Sequence, residues 1–238
     1  FMSIAFISDL HLEPVDNHRL HSFINFLAEA SEKYKSLYII GDLFEYWVGD
    51  DDPHPINELI QNKIKDAHDQ GLSIYFIHGN RDFLLGPQFE KNTGLRIIND
   101  MTIIEDSGIS LMIAHGDSFC IDDVEYQALK KSLRSEEWKK DSLQKPIAER
   151  IAFADDLRAK SAESSSNKAE NIMDVNQSYV AEVIEKHTID FLIHGHTHRP
   201  AIHKLDNGSS RVVLGSWEDE GWVAEYNEGN IELKSFTI

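Results

Sequence analysis

Residues 3–11 read Ser-Ile-Ala-Phe-Ile-Ser-Asp-Leu-His: a short apolar run that stops on a carboxylate and, two residues later, an imidazole. Its β-branched and aromatic side chains form the pattern of a buried strand. The same design recurs four times further along. Residues 37–40 (LYII) end in Gly41-Asp42, and 73–77 (SIYFI) end in His78-Gly79-Asn80-Arg81-Asp82. Residues 110–114 (SLMIA) end in His115-Gly116-Asp117, and 189–193 (IDFLI) end in His194-Gly195-His196-Thr197-His198. Between the first three runs, Leu20, Phe23, Ile24, Leu27 and Ala28, then Ile56, Leu59, Ile60 and Ile64, recur at helical spacing. Strand–helix–strand–helix–strand order implies right-handed parallel crossovers and an α/β fold. After His198, alternating runs at 201–205, 211–214, 222–226 and 231–236 are parted by Asp206-Asn207-Gly208 and Asn227-Glu228-Gly229-Asn230, the texture of antiparallel hairpins.

The chain has 238 residues, and 23 Lys plus Arg against 41 Asp plus Glu give a net charge of −18. The expectation is one domain over residues 2–238, with enough apolar residues for a sizeable core. Such acidity argues against general nucleic-acid binding, which rests on neutralising phosphates, and it would repel an anionic membrane unless the charge is unevenly spread. It is unevenly spread. Residues 118–172, helical in texture with a serine-rich patch at 161–166, hold 10 of the 23 basic and 11 of the 41 acidic residues. This stretch is expected to be an insertion capping the rest. No apolar run approaches the ~18 residues of a transmembrane helix. The first residues lack a basic leader region, so no signal peptide is expected, and Met2 reads as the natural start. The single cysteine, Cys120, fits a reducing cytoplasm and reads as a small buried side chain.

The five strand ends bring Asp9, His11, Asp42, Asn80, His115, His196 and His198 to the edge where open α/β sheets bind ligands. Packed together, carboxylates and histidines lose hydration unless they are paired or bound to metal. Asp-x-His and His-x-His each present two donors on one side of a strand end, because side chains alternate with period two. A short carboxylate such as Asp42 can bridge cations ~3.5–4 Å apart, the spacing of two-metal hydrolases. A lone Gly-Asp is usually a turn. Five such motifs in order, each behind a strand, are not explained that way. Oxygen and imidazole donors without thiolate suit Mn²⁺ or Fe more than structural zinc, with Zn²⁺ left open.

The series Asp9-x-His11, Gly41-Asp42, Gly79-Asn80-Arg81-Asp82, His115-Gly116-Asp117 and Gly195-His196-Thr197-His198 resembles the calcineurin-like metallophosphoesterases. The resemblance implies a four-layer αββα sandwich of two mixed sheets. It places Asp9, His11, Asp42 and His198 on one metal and Asp42, Asn80, His115 and His196 on a second. Many members carry a histidine where this chain has Arg81, whose planar fork suits phosphate oxygens but cannot donate a proton at neutral pH. Gly-Asn-Arg-Asp, the helical insertion and Ile172-Met173-Asp174-Val175-Asn176 make the whole chain similar to the UDP-2,3-diacylglucosamine pyrophosphatases of lipid A biosynthesis. This implies hydrolysis of that nucleotide-activated lipid to UMP and 2,3-diacylglucosamine 1-phosphate (lipid X), with two Mn²⁺ per chain holding the attacking hydroxide. It also implies a peripheral place at the cytoplasmic face of the bacterial inner membrane. By position, the substrate contacts fall on Asn80, Arg81, Asp123, Ser161, Ser165, Lys168 and His196.

Two rival readings differ in class: a same-fold enzyme acting on a soluble nucleotide or phosphodiester, and a non-catalytic scaffold. The intact ligand set weighs against the scaffold. Against a soluble substrate weigh apolar residues where mouth loops are normally polar: Phe44, Tyr46, Trp47, Val48, Phe83, Leu84 and Leu85. They either pack under the insertion or wall a channel for acyl chains. In the insertion, Val124, Leu129, Leu133, Trp138, Ile147, Ile151 and Phe153 form an apolar set that packs on the core or faces a membrane. His78 and His194, which flank the motifs, are expected to orient ligands through hydrogen bonds, and Asp117 reads equally as such a brace or as a turn former.

Overall fold

The computed structural model describes residues 3–167 and 170–238, with side chains given for all of these except 164–167, 170 and 171. In chain order, β1 (Ser3–Ile7), α1 (His18–Lys33), β2 (Ser36–Ile40), α2 (Pro55–Asp69), β3 (Ser73–Ile77), α3 (Pro87–Thr93) and β4 (Arg96–Ile97) form the first half. β5 (Thr102–Asp106), β6 (Ile109–Ala114), α4 (Val124–Leu133), α5 (Glu136–Leu143), α6 (Ile147–Asn167) and α7 (Glu170–Met173) follow. The chain closes with α8 (Gln177–His187), β7 (Phe191–His194), β8 (Ala201–Lys204), β9 (Ser210–Val213), β10 (Glu220–Asn227) and β11 (Asn230–Thr237).

The strands form two mixed sheets, in the orders β11-β10-β1-β2-β3-β4 and β5-β6-β7-β9-β8. β1, β2 and β3 pair in parallel, as their intervening helices require, while β10 pairs antiparallel to β1. The two C-terminal hairpins form, but they serve different sheets: β8–β9 completes the second and β10–β11 the first.

Period-two alternation explains why β1 reads as continuously apolar. Ile4 and Phe6 point between the sheets, against Leu111, Ile113, Ile193 and Val212. Ala5 and Ile7 point outward, against Leu20, Phe23, Leu27, Ile60 and Ile64 of α1 and α2. On the opposite outer face, Val180, Val183 and Ile184 of α8 cover Met112, Ala114 and Leu192. A sheet buried on both faces needs hydrophobic residues at every position, which yields four layers, αββα. α3, β4, β5 and α8 are additional to the elements read from the sequence. α3 spans 7 residues and β4 only 2, too short for a period to register.

Caps fix the helix starts: Asn17 accepts from the Leu20 amide, Asp123 from Tyr126, Ser135 from Trp138 and Asn176 from Tyr179. Cys120 is buried beside Phe119, and burial pushes its thiol up to about 12, the state of an inert core side chain. Among the described residues, no helix is long and apolar enough to cross a membrane.

Candidate metal centre

The backbone at the strand ends is held in an unusual conformation. Asp9, His11, Asp42, His196 and His198 all have positive φ, between 49° and 67°. Non-glycine residues seldom adopt this region, and such strain concentrates at functional sites. Here tertiary hydrogen bonds hold it: the Asp9 amide donates to Gly41 O (3.1 Å), and the His11 amide donates to Asp42 O (3.0 Å). The loops also crowd one another. A Cβ on Gly41, itself at φ 85°, would lie 2.5 Å from His115 Nδ1 and 2.7 Å from Gly79 Cα.

Seven side chains converge there. Asp9, His11 and His198 offer ligand atoms within 4.8 Å of one another, and so do Asp9, Asp42 and His115. Asp42 Oδ2 stands 3.9 Å from His11 Nε2 and 3.8 Å from His115 Nε2, between the two histidines. Its other oxygen accepts the Arg81 amide at 2.8 Å, which fixes the carboxylate plane. Asn80 Oδ1 lies 3.0 Å from both His115 Nε2 and His196 Nδ1. His11 Nε2 and His198 Nε2 face each other at 3.4 Å.

These contacts fit cations. Ile40 O can only accept, so His115 must donate to it through Nδ1 (2.9 Å). That turns Nε2 toward the Asn80 oxygen, and a positive charge, proton or metal, is required between them. Asp9 Oδ1 is buried with no hydrogen-bond partner among the described residues, 3.3 Å from His198 Nε2. Although burial opposes ionisation, His198, His115 and His11 hold the Asp9 carboxyl well below the usual range. Burial pushes His196 down to about 4, aided by the charge of His115, leaving a neutral imidazole with a free lone pair. Carboxylates, an amide oxygen and imidazoles form the donor set of a hard-to-borderline divalent pair.

A further layer of residues, some not singled out in the sequence, orients this set. Asp82, fully buried, accepts the amides of Gly79 (2.9 Å), Leu43 (2.8 Å), Asp42 (3.3 Å) and Phe44 (3.4 Å), joining two of the strand-end loops. Its place in Gly-Asn-Arg-Asp was the available signal. Ser8 Oγ (2.6 Å) and the His196 amide (2.9 Å) both donate to Asp9 Oδ2. Glu45 Oε2 lies 3.0 Å from His11 Nδ1.

The three flanking residues behave differently from expectation. Asp117 touches no convergent side chain through hydrogen bonds. It accepts from Tyr126 Oη (2.6 Å) and Arg134 Nη2 (3.1 Å) and pairs with Lys130 Nζ (2.9 Å), from α4 and its C-cap. Burial alone would raise its carboxyl, but His115, Arg134 and Lys130 outweigh burial and keep it well below the ordinary range. His78 is spent on Leu85 O at 2.7 Å. His194, neutral because burial pushes it down to about 3, accepts from Arg211 Nη1 (3.2 Å) and donates to Gly195 O (2.9 Å), bracing the loop backbone rather than a ligand.

Beside the cluster, a cavity of about 830 Å³, counting its opening to solvent, runs between the strand-end loops and α4–α6. Trp47, Val48, Phe83 and Leu84 wall one side, and Leu129, Leu133, Trp138, Phe153 and Leu157 the other. Asn80, Arg81, Glu45, Tyr126 and Arg158 stand at its polar end, and Tyr126 stacks on His196 with ring centres 6.0 Å apart. Ser161 also lines this space, whereas Asp123 caps α4 and does not. The side chain of Ser165, and Lys168 altogether, lie outside the described residues. Phe44 is core, packed on Trp47 and Phe89.

A family model described as calcineurin-like phosphoesterase matches residues 2–200. Proteins named UDP-2,3-diacylglucosamine hydrolase from Escherichia coli O7:K1 and Escherichia fergusonii are each 42% identical over 238 residues, covering 99% of this chain and 99% of theirs. Among solved structures, a dimetal phosphatase from Danio rerio superposes with a TM-score of 0.57 at 11% identity, over 99% of this chain and 96% of that one. An archaeal phosphodiesterase gives 0.51 at 14% identity, over the full length of both. At such identities these two speak for the fold alone. The family match spans all five strand-end motifs and the relatives span 99% of the chain: this protein belongs to the calcineurin-like phosphoesterases.

Proposed function

We propose that this protein hydrolyses the diphosphate of UDP-2,3-diacylglucosamine, giving UMP and 2,3-diacylglucosamine 1-phosphate, in lipid A biosynthesis. The observation that carries this reading is the apolar cavity beside the cluster, whose polar end is lined by Asn80, the residue touching His115 and His196, and by Arg81. A soluble nucleotide needs no such wall, and two acyl chains do. In this reading Asp9, His11, Asp42 and His198 hold one Mn²⁺, and Asp42, Asn80, His115 and His196 hold the other. The bound cations supply Lewis acidity, lowering the pKa of water and neutralising phosphoryl charge.

The chain's own residues do the rest. Asp42 spends Oδ1 on the Arg81 amide, which leaves Oδ2 directed inward between His11 and His115. Asn80 and His196 present oxygen and a neutral ring nitrogen on the same side. The Arg81 guanidinium, about a quarter exposed at the cavity mouth, offers paired donors to phosphate oxygens as charge shifts during cleavage. Water adds across the P–O–P bridge and one phosphorus–oxygen bond breaks. Ser161, Asp123, Ser165 and Lys168 complete the proposed substrate contacts. The segment 118–172 acts as a lid, and through it the protein meets the cytoplasmic face of the inner membrane. Ile121, Val124, Leu129, Leu143 and Phe153 are exposed on this segment, supporting that orientation.

The test compares UDP-2,3-diacylglucosamine with bis(p-nitrophenyl) phosphate, with and without Mn²⁺. Mn²⁺-dependent turnover that strongly favours the lipid is expected. Equal turnover of both, or turnover indifferent to chelation, overturns the reading.

A further inference from the structure

Glu45 follows the Asp42 loop and has no place among the ligands or substrate contacts assigned above. Its carboxylate nonetheless touches three functional groups from three parts of the chain. Oε2 is 3.0 Å from His11 Nδ1, a close charge contact lying off the hydrogen-bond direction. Oε1 is 3.3 Å from Arg158 Nε of α6 and 3.7 Å from Arg81 Nη1. The Glu45 amide donates to Leu12 O at 3.0 Å, so the residue is fixed to the backbone beside His11. Its side chain is only 20% exposed, and His11, Arg81 and Arg158 together hold its carboxyl below the usual range despite burial. Arg158 is further positioned over the Tyr46 ring, 5.6 Å from its centre.

We propose that Glu45 is a positioning residue that couples the cation site to the two arginines facing the substrate's diphosphate. A carboxylate 3.0 Å behind His11, which the proposed reading places on a metal, biases the ring's orientation and raises its basicity through its charge. Arg81 belongs to the strand-end shelf and Arg158 to the lid, so one carboxylate sets both guanidiniums at the same edge of the cavity. Without it, their mutual repulsion would part them. The lid arginine is thereby aligned only where the His11 side of the metal centre is in order.

The inference rests on the metal-dependent reading above, and its test separates the two. Glu45→Gln keeps the shape and removes the charge. In Mn²⁺ titrations followed by electron paramagnetic resonance, it is expected to weaken at least one cation by about tenfold, the usual effect of losing such a partner. At saturating Mn²⁺, the variant should still show a raised KM for the diacylated substrate. Arg158→Met should raise KM without changing cation affinity. The double variant should be no worse in KM than the worse single variant, because Arg158 depends on Glu45 for its position. Unchanged cation affinity in Glu45→Gln, or additive KM effects, overturns the assignment of Glu45. A wild-type protein that binds no cation pair instead overturns the metal-dependent reading itself.

Discussion

The strand-end shelf and the helical segment over it face the same cavity but are built on opposite principles. The shelf is strained and buried: Asp9 and His115 are fully buried, and five of the seven convergent residues carry positive φ. Each of its carboxylates is oriented by backbone amides. The helical segment is joined to the shelf by side chains, and its apolar residues stand half-open around the cavity. Charge divides along the same line, since residues 118–172 carry a net −1 and the rest −17. On the proposed reading, a site for divalent cations gains from rigidity and concentrated negative charge, and a surface that admits a lipid gains from weak attachments and near-neutrality.

The largest expected effect lies on the shelf. Asp42→Ala should bring turnover to background and remove bound metal, because Asp42 Oδ2 stands within 4 Å of both His11 and His115; metal analysis of the folded variant checks this. Near-wild-type activity at trace metal would break the contrast at its root.

Next comes the clasp between the regions. Asp117→Asn leaves Lys130 and Arg134 facing a neutral group and should cost about 3–5 kcal/mol, as for breaking other buried pairs. Faster hydrogen exchange in α4 than in β6 would localise the loss. Because the folded Asp117 carboxyl titrates below its ordinary range, the clasp stabilises fully above about pH 4 and is lost as pH falls through the lowered value. The melting temperatures of wild type and variant should therefore converge in acid.

Within the cavity wall, Trp138 contacts Phe83 of the shelf and Phe153 of α6, at ring separations of 5.9 and 5.5 Å. Trp138→Ala should raise KM for the diacylated substrate about tenfold, or ~1.4 kcal/mol, while sparing bis(p-nitrophenyl) phosphate. Equal loss on both substrates would mean that the wall also organises the metal centre. The smallest effect belongs to the second tie. Arg150 donates to Val48 O at 2.6 Å and to both oxygens of Asp51, but Asp51 is 58% exposed. Asp51→Asn should shift stability by no more than about 1 kcal/mol, measurable by urea unfolding.

Much of this was legible before folding. A strand end places its polar residues through local backbone, so the convergence of Asp9, His11, Asp42, Asn80, His115, His196 and His198 could be read from five short motifs. The apolar mouth residues were legible too, though not their division of labour: Phe44 went to the core, Val48, Phe83 and Leu84 wall the cavity, and Trp47 does both. Asp117 reads from its neighbours in sequence as either a brace for the strand-end cluster or a turn former. Its carboxylate instead meets residues nine to seventeen positions later, across a turn that period rules do not describe.

By itself, then, the sequence determined the strands, their parallel order and which side chains gather at the strand ends, because periodicity and residue chemistry are local properties. Only the tertiary structure decided what each buried charge leans on. Asp82 gathers amides some forty residues away, Glu45 meets Arg158 of α6, and Arg211 braces His194 across adjacent strands. Burying a charge costs free energy unless a partner is in place, and such partners are supplied by chain closure rather than by neighbours along the chain.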